Sequence, residues 1–255
     1  MAANAKQLEL ERDETSGLKQ AAGSGAWEAL LDSVTNRSRR GTEKKQDRSK
    51  RTEQQILNAA LRVFARDGIS RSRIADIAAE AGISTSTLYE YYKSKEDLAY
   101  DVPVLHLSTF FEEYRAAAAE KHTARERLHL YLSMSADFAR EHADWARLFY
   151  LEIWPSVFVS ETEVRHSVDD FARVALFLVR QGMDAGEWPV SDPYQTSAIL
   201  LGGVNQVIIT WLLYRRPRNL TRAGAETAER ILNLLANEKT PPAIALQSKV
   251  RRRGV

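Results

Sequence analysis

Residues 74–95 read IADIAAEAGISTSTLYEYYKSK, and this stretch decides the fold. An apolar face recurs at helical spacing over 74–80, and Gly82 follows where a tight turn needs a residue that tolerates a positive φ angle. Ser84 then suits the N-cap of a second short helix over 85–91. Two small helices joined at a glycine turn, with the second free to enter the major groove of DNA, form a helix-turn-helix.

The second helix is expected to carry polar groups on one face and apolar side chains on the other. Leu88 and Tyr92, four residues apart, share the inner face. The residues expected to face outward are Thr85, Ser86, Thr87, Tyr89, Glu90 and Tyr91. Hydroxyl and phenol groups bond phosphate oxygens and base edges, and Lys95 adds a cation beside the free backbone amides of the next helix. The pattern predicts a recognition helix over Thr85–Tyr91.

The segments ILNAALRVFARDGIS (56–70) and IADIAAEAGISTSTLYEYYKSKEDL (74–98) resemble the TetR family of transcriptional regulators. The resemblance implies an all-α protein with an N-terminal three-helix, helix-turn-helix head and a larger helical ligand-binding and dimerisation domain. It implies base or backbone contacts from Thr85 and Ser86. Phosphate contacts are implied for Thr87, Tyr89, Tyr91 and Lys95.

The chain departs from the family pattern at positions that bear on DNA contact. Ser72 and Arg73 stand where the family often has two threonines, and we expect Ser72 still to cap the helix and Arg73 to reach a phosphate. Ser86 stands where the family favours glycine, and Glu90 where it often has an aromatic residue or histidine. Glu90 either accepts from a cytosine amine or repels phosphates and tunes the register of the helix. The predicted DNA contacts are Ser72, Arg73, Ser84, Thr85, Ser86, Thr87, Tyr89, Glu90, Tyr91 and Lys95.

The net charge of +2 hides two basic segments. Residues 37–51 hold eight basic and two acidic side chains, residues 249–255 hold four basic ones, and residues 1–36 carry a net charge of −3. Basic segments often meet a polyanion, and because 37–51 enters the first helix of the head, we expect it to follow the DNA backbone or enter the minor groove. The alternative is a solvated tail that only aids solubility.

These patterns divide the 255 residues into four parts. Residues 1–50 are predicted to be a disordered basic arm, in which only the patch Trp27–Val34 could form a helical turn or two against a partner. Residues 51–97 form the helix-turn-helix domain, and residues 98–238 form the effector-binding and dimerisation domain. Residues 239–255 form a basic C-terminal tail.

The composition excludes several classes of protein. The chain has no cysteine, so disulfides, a thiolate metal site and a cysteine nucleophile are excluded, and the cytoplasm is the expected compartment. The N-terminus lacks the apolar stretch of a signal peptide, and no apolar run is expected to reach the roughly 18 residues that a membrane span needs. No nucleophile-elbow, zinc-protease, Walker or dinucleotide motif is present, so we expect neither an enzyme nor a bound cofactor or metal.

Apolar periodicity and capping signals predict nine helices, and no sustained period-two alternation predicts a strand. Ser94, Thr123 and Ser160 open capping boxes or a close variant, and Asp192 precedes a proline at a first helical position. The helices are expected at about 51–67, 74–80, 85–91, 95–120, 124–141, 143–154, 161–185, 193–215 and 221–237.

The predicted helix 193–215 is apolar almost all round, as in a helix that is buried on several sides. With helix 221–237 it suits a four-helix dimer interface, and TetR-like proteins dimerise through their last two long helices, so the resemblance implies the same use. The predicted interface residues are Gly202, Gly203, Val207 and Trp211. A two-fold dimer implies a palindromic operator with half-site centres about 34–36 Å apart, or a multiple of that.

Aromatic residues collect in the chain between the head and the predicted interface. We expect an apolar effector pocket lined by Phe110, Tyr114, Tyr131, Phe138, Phe149, Trp154, Phe171 and Phe177. The alternative is that these side chains form ordinary core. The C-terminal half resembles TetR relatives that sense acyl-coenzyme A or other hydrophobic compounds, through the spacing of Gly186-Glu187-Trp188, Gly202-Gly203 and Trp211.

The sequence therefore predicts a homodimeric repressor that a small hydrophobic effector (an acyl-coenzyme A, a fatty acid or an aromatic compound) releases from a palindromic operator. One alternative is a regulator that needs no ligand, or an activator. A remote alternative is a di-iron enzyme, because Glu126-x-x-His129 and Glu163-x-x-His166 repeat the paired motif of di-iron helical bundles. Both glutamates, however, occupy the third position of a predicted capping box, which already explains them.

Overall fold

The computed structural model describes residues 24–39, 47–157 and 163–237, and within these ranges it contains helices and no strand. The helices are α1 (Ser24–Arg39), α2 (Asp47–Asp67), α3 (Ile74–Ala81), α4 (Thr85–Tyr91), α5 (Lys95–Ala118), α6 (Ala124–Glu141), α7 (Ala143–Leu148), α8 (Trp154–Val157), α9 (Glu163–Asp184), α10 (Pro193–Tyr214) and α11 (Leu220–Ala236). A π-helical segment, Phe149–Ile153 (the π segment), joins α7 to α8. The predicted all-α fold is confirmed.

The predicted helices lie close to their expected positions, because their start signals are local. The Ser94 hydroxyl accepts a backbone amide of the first turn of α5, and Thr123 forms a complete capping box with Glu126 at the start of α6. The Asp192 carboxylate accepts two amides at the start of α10. The box expected at Ser160 lies outside the described residues.

The head consists of α2, α3 and α4. Val63 and Phe64 of α2, Ile77 of α3 and Leu88 of α4 are all fully buried. From the body, α5 and α7 pack directly against α2. Head and body therefore share one continuous apolar core.

The prediction that residues 1–50 form a disordered arm is wrong for α1. This helix packs against α5 and α9 of its own chain, where the sequence suggested a partner. Its buried apolar stripe is Trp27, Leu30, Leu31 and Val34. Residues 47–50 of the predicted arm belong to α2, and residues 1–23 and 40–46 lie outside the described part of the chain.

Charged and aromatic contacts fix α1 to the body. The Arg115 guanidinium of α5 donates to the Asp32 carboxylate at 2.5 Å and to the Glu28 carbonyl oxygen at 3.3 Å. The Arg127 guanidinium of α6 lies 5.5 Å from the centre of the Trp27 ring. These contacts supply the polar partners that make docking of a polar, charged segment favourable.

The body is a bundle of α5, α6, α9, α10 and α11, and the turn after α9 ties two of these helices together. Glu187 in this turn accepts the backbone amides of Ala124 and Arg125 at 2.9 and 2.8 Å, and so caps α6 from outside. The Trp188 indole donates to the Val179 carbonyl oxygen at 2.9 Å. Glu187 and Trp188 therefore both hold the turn after α9 against neighbouring helices.

The predicted helix 143–154 is interrupted by the π segment. The interruption is closed by a hydrogen bond from the Trp154 amide to the Phe149 carbonyl oxygen, five residues earlier. Phe149, Tyr150 and Ile153 are buried within the segment. Apolar spacing alone predicts helix here and does not distinguish the wider turn from an α-helical one.

By length and composition α10 is apolar enough to cross a membrane. Its most apolar window has a mean hydropathy of 1.6, and 39% of that window is buried within the chain. By length and mean hydropathy, therefore, the expectation that no apolar run is long enough to span a membrane is wrong for α10. The core helix of a soluble protein passes the same test, and α10 packs against α6, α9 and α11.

Candidate functional site

The turn between α3 and α4 has the predicted geometry. Gly82 follows α3 with a φ angle of +67°, in the left-handed region that favours glycine, and the Ile83 amide donates to the Ala78 carbonyl oxygen at 3.0 Å. Leu88 is fully buried and Tyr92 is 5% exposed, so both lie on the inner face of α4 as expected. Two short helices meeting at this turn make a helix-turn-helix.

The first half of α4 presents hydroxyl groups to solvent. The Ser84 hydroxyl accepts the Thr87 amide at 3.0 Å, which caps α4, and lies 2.7 Å from the Ser86 hydroxyl. Thr85 and Ser86 are exposed, and Thr87 is half-buried. These groups stand at the end of the helix that a helix-turn-helix directs toward base edges.

The second half of α4 differs between its two phenols. The Tyr89 side chain is 55% exposed, and its neighbour Glu90 is also exposed. Tyr91 is half-buried, with its hydroxyl 3.5 Å from the Ser49 hydroxyl of α2. Tyr89 thus projects from the head, whereas Tyr91 lies along α2 at the edge of the same face.

Ser72 does not cap α3, contrary to the prediction. Arg73 is the residue that precedes the helix, and no side chain caps it. Ser72 is 4% exposed and its hydroxyl donates to the Gly68 carbonyl oxygen, so it offers no surface to DNA. Arg73 is exposed but forms a bidentate pair with Asp76 at 2.9 Å, and this pairing lowers the pKa of Asp76.

Lys95 is tied to the loop before α3. Its ammonium group donates to the carbonyl oxygens of Ser70 and Ser72, at 3.3 and 3.1 Å. An ammonium group has three N–H donors, so one remains for a phosphate. The predicted phosphate contact therefore belongs to a residue that also holds the head to α5.

The predicted effector-lining residues lie together in the body. Six of the eight are buried, and Trp154 and Phe177 are half-buried. The Phe110 ring lies at centroid distances of 5.3–5.6 Å from three others, those of Tyr131, Phe138 and Phe171. In this structure they form a packed aromatic cluster, and its opening around a ligand stays a prediction.

Two buried phenols of this cluster are bonded to backbone. The Tyr114 hydroxyl donates to the Arg127 carbonyl oxygen at 3.0 Å, and the Tyr131 hydroxyl donates to the Phe171 carbonyl oxygen at 2.9 Å. Burial raises the pKa of both phenols, so they are neutral at physiological pH. A polar effector group here would have to share these carbonyl oxygens with the two phenols or displace the phenols from them.

The glutamate–histidine motifs are not assembled into a metal site within the described residues. Glu126 accepts two backbone amides at the start of α6, and these bonds lower its pKa. The His129 ring lies 3.9 Å from the Glu229 carboxylate, in a surface cleft of about 460 Å³. No three metal-ligating side chains are grouped in the described ranges, and the side chains of Glu163 and His166 lie outside them.

The exposed sides of α10 and α11 carry large apolar side chains. Ile199 and Leu213 of α10 are 59% and 53% exposed, and Leu234 of α11 is 71% exposed. Large apolar side chains at this exposure on adjacent helices form the kind of patch that marks an interface. The patch coincides with the helices predicted to form the dimer.

The four predicted interface residues occupy different positions. Gly202 is exposed, and a Cβ atom added there would meet nothing within 4 Å. Gly203 faces α11, where an added Cβ would lie 2.7 Å from the Ile231 side chain. Val207 and Trp211 are half-buried. Close packing at Gly203 is therefore within the chain, and Gly202 is the most open of the four to a second subunit.

Two features near these sites cannot be predicted from local sequence patterns. Glu152 accepts the Ile69 amide from a position 83 residues away, and no motif signals such a bond to backbone. The Trp27 ring of α1 lies 5.9 Å from Tyr114 and 5.6 Å from Phe177. Only the apolar stripe of α1 signals that this helix covers the aromatic cluster.

Comparison with known proteins supports the geometry of the head. A family model described as "Bacterial regulatory proteins, tetR family" matches residues 56–102. The fatty acid metabolism regulator protein of Bacillus subtilis (strain 168) is 24% identical over 185 residues, which are 72% of this chain and 95% of that protein. The transcriptional regulator QacR of Staphylococcus aureus is 23% identical over 155 residues, or 60% and 82% of the two chains.

Solved structures share the fold over 72–74% of this chain. Bacillus subtilis FadR in complex with stearoyl-CoA superposes with a TM-score of 0.63 at 24% identity, covering 72% of this chain and 97% of that one. Bacillus halodurans FadR superposes with a TM-score of 0.66 at 20% identity, covering 74% of this chain and 97% of that one. A transcriptional regulator of Saccharomonospora viridis in complex with choline gives 0.62 at 20% identity, with the same coverage.

Proposed function

The chain belongs to the TetR family of transcriptional regulators, and from this premise we propose that it is a homodimeric repressor released from a palindromic operator by a small hydrophobic effector. The observation that carries the proposal is the α4 helix, with Leu88 buried and a hydroxyl-rich face exposed. The head over 51–97 would bind DNA, and 98–238 would hold the effector and the second subunit. Such a protein acts in the cytoplasm.

Roles within the head follow from exposure. Thr85 and Ser86, at the exposed start of α4, are the proposed base readers. The proposed phosphate contacts are Thr87, Tyr89, Tyr91 and Lys95. Ser84 caps the helix, and Arg73 joins the contacts by sharing its guanidinium group between the Asp76 carboxylate and a phosphate. Glu90 lies exposed between the two phenols, which favours a role in register over a role in affinity.

A second subunit would cover the apolar face of α10 and α11. The exposed side chains of Ile199, Leu213 and Leu234 on these two adjacent helices support a four-helix interface around a two-fold axis. The two recognition helices would then stand about 34–36 Å apart, or a multiple of that, on one side of the operator.

The effector class is supported by the aromatic cluster and by the relatives. Buried aromatic rings with few polar groups suit an apolar ligand. The Bacillus subtilis relative is a fatty acid metabolism regulator whose structure holds stearoyl-CoA, which favours an acyl-coenzyme A here. A structural neighbour that holds choline makes a small cation the competing class.

The test starts with selection of bound DNA from a random pool by the full-length protein. Recovery of a palindromic site, followed by its release with stearoyl-CoA, is the expected result. Stable binding in the presence of stearoyl-CoA, choline and aromatic acids would instead favour a regulator without a ligand, and a reporter gene would separate repression from activation. Failure to recover any site, together with stoichiometric iron in the purified protein, would favour the enzyme.

A further inference from the structure

Glu152 of the π segment makes a direct hydrogen bond to the head. Its carboxylate accepts the backbone amide of Ile69 at 2.8 Å. Ile69 lies in the loop 68–73 that joins α2 to the start of the helix-turn-helix. The bond therefore connects the body to the segment that leads directly into α3.

The geometry of the loop suits this contact. Gly68 has a φ angle of +81°, and a Cβ atom added there would lie 3.3 Å from the Glu152 carboxylate. That distance is shorter than ordinary van der Waals contact. The positive φ angle of Gly68 also lies in the left-handed region that favours glycine. The loop thus places its backbone close enough for a carboxylate to reach the Ile69 amide.

The same loop is held from two other sides. The Ser72 amide and hydroxyl both donate to the Gly68 carbonyl oxygen. Lys95, at the start of α5, donates to the carbonyl oxygens of Ser70 and Ser72. Glu152 binds a donor of the loop and Lys95 binds its acceptors, so two elements of the body hold opposite polar groups of one short segment.

The π segment also contacts the aromatic cluster and the proposed dimer helix. The Phe149 ring stacks on Trp145 at 5.0 Å and lies 5.8 Å from Trp154. The Tyr150 hydroxyl donates to the Asn205 side chain of α10 at 3.3 Å. Five consecutive residues therefore touch the aromatic interior, the helix of the subunit interface and the head.

We infer that Glu152 is a positioning residue for the DNA-binding head: its bond to the Ile69 amide fixes how α3 and α4 are presented, through the π segment. This inference rests on the proposed DNA-binding function. The loop, the π segment and α5 form one hydrogen-bonded unit, so movement of the aromatic cluster or of α10 reaches the recognition helix through Glu152 as well as along α5.

The charge of Glu152 makes the inference testable. Removing a carboxylate from a DNA-binding protein strengthens binding, or leaves it unchanged, if charge alone matters, because phosphates are repelled less. Removing a positioning bond weakens it. Glu152→Ala removes both the charge and the acceptor, whereas Glu152→Gln removes the charge and keeps a carbonyl oxygen of similar reach.

The experiment compares full-length wild type, Glu152→Ala and Glu152→Gln, with Glu113→Ala as the control. Glu113 is an exposed glutamate toward the other end of α5 from Lys95. Two quantities are measured: the affinity for the selected operator and the hydrogen exchange of the Ile69 amide. Thermal stability is followed alongside.

Glu152→Ala is expected to lose about three- to tenfold in operator affinity, the range of one net hydrogen bond, and to speed exchange of the Ile69 amide. Glu152→Gln is expected to bind at least as tightly as wild type, and Glu113→Ala to match it. Wild-type affinity and exchange in Glu152→Ala, or equal losses in Ala and Gln variants, would overturn the inference. If the wild type selects no DNA, the proposed function fails. The hydrogen exchange of the Ile69 amide then tests alone whether Glu152 holds the loop in place.

Discussion

The ammonium group of Lys95 lies 3.1 Å from the carbonyl oxygen of Ser72, and this contact adds a structural task to the phosphate contact proposed for the same lysine. A second bond, to the Ser70 carbonyl oxygen, leaves a single donor for DNA. Lys95 is half-buried, so its contacts to the loop are partly shielded from water. A substitution of Lys95 would therefore remove the proposed phosphate contact and the bonds that place the head at the same time.

Lys95→Ala is therefore expected to lower both the operator affinity and the stability of the protein. The loss of two bonds from a half-buried charged group should cost about 1 kcal/mol of unfolding free energy. Lys93→Ala is the matched control, because Lys93 is exposed two residues earlier, and it should leave stability unchanged. Urea unfolding and operator titration measure the two effects. Unchanged stability in Lys95→Ala would contradict the structural task.

Tyr89 is expected to contribute to affinity without choosing the sequence. Its exposed phenol can bond a phosphate, so Tyr89→Phe should weaken binding by about fivefold, the value of one hydrogen bond, on every operator variant. Thr85→Ala, which removes a proposed base reader, should instead weaken some operator variants more than others. Titration of a set of single-base operator variants distinguishes them. A loss in Tyr89→Phe confined to one variant would contradict the phosphate role.

The sequence predicts what is encoded locally. Caps such as Ser94 and Thr123, and the turn at Gly82, are each determined within a few residues, and the structure reproduces them. Leu88 and Tyr92 are buried as their four-residue spacing indicates. The spacing of apolar residues along the sequence is thus enough to predict which side of the recognition helix is buried.

What depends on distant contacts could not be read in this way. Ser72 has the residue type of a cap, but its hydroxyl donates to the carbonyl oxygen of Gly68, only four residues earlier, so this prediction failed through local turn geometry and not through a distant contact. Trp27 sits in a polar region and is ordered by α5, α6 and α9, which only the folded chain brings to it. Glu152 contacts a backbone amide 83 residues away, and backbone amides carry no sequence signature.

The apolar face of α10 predicts that a charge placed there prevents dimer formation. Ile199→Glu is expected to yield a monomer at micromolar concentration, because a buried unpaired carboxylate is costly at an apolar interface. Ala119→Glu, at the exposed end of α5, is the control. Sedimentation measures the mass of each variant. A dimeric Ile199→Glu would place the interface elsewhere.

The docking of α1 predicts that Trp27 contributes to global stability. Trp27→Ala in the full-length protein should lower the free energy of unfolding by about 3 kcal/mol, because the ring is buried against Tyr114 and Phe177. Trp27→Phe should cost less, and Ala29→Ser, on the exposed side of α1, should cost little. Urea unfolding monitored by circular dichroism gives all three values. Equal stability of Trp27→Ala and wild type would show that α1 is not docked in solution.

The capping box at the start of α6 predicts a pH dependence of stability. Hydrogen bonds from the backbone amides of Thr123 and His122 lower the pKa of Glu126 below its ordinary value of 4.5, so its carboxylate stabilises the folded state above that value. The contribution is lost as pH falls through the lowered pKa. Glu126→Gln keeps an acceptor but not the charge, so its melting temperature should lie below that of wild type near pH 7 and approach it near about pH 3. Glu120→Gln, an exposed neighbour outside the box, controls for net charge. A difference between wild type and Glu126→Gln that stays constant over this range would mean that the charge of Glu126 does not stabilise α6.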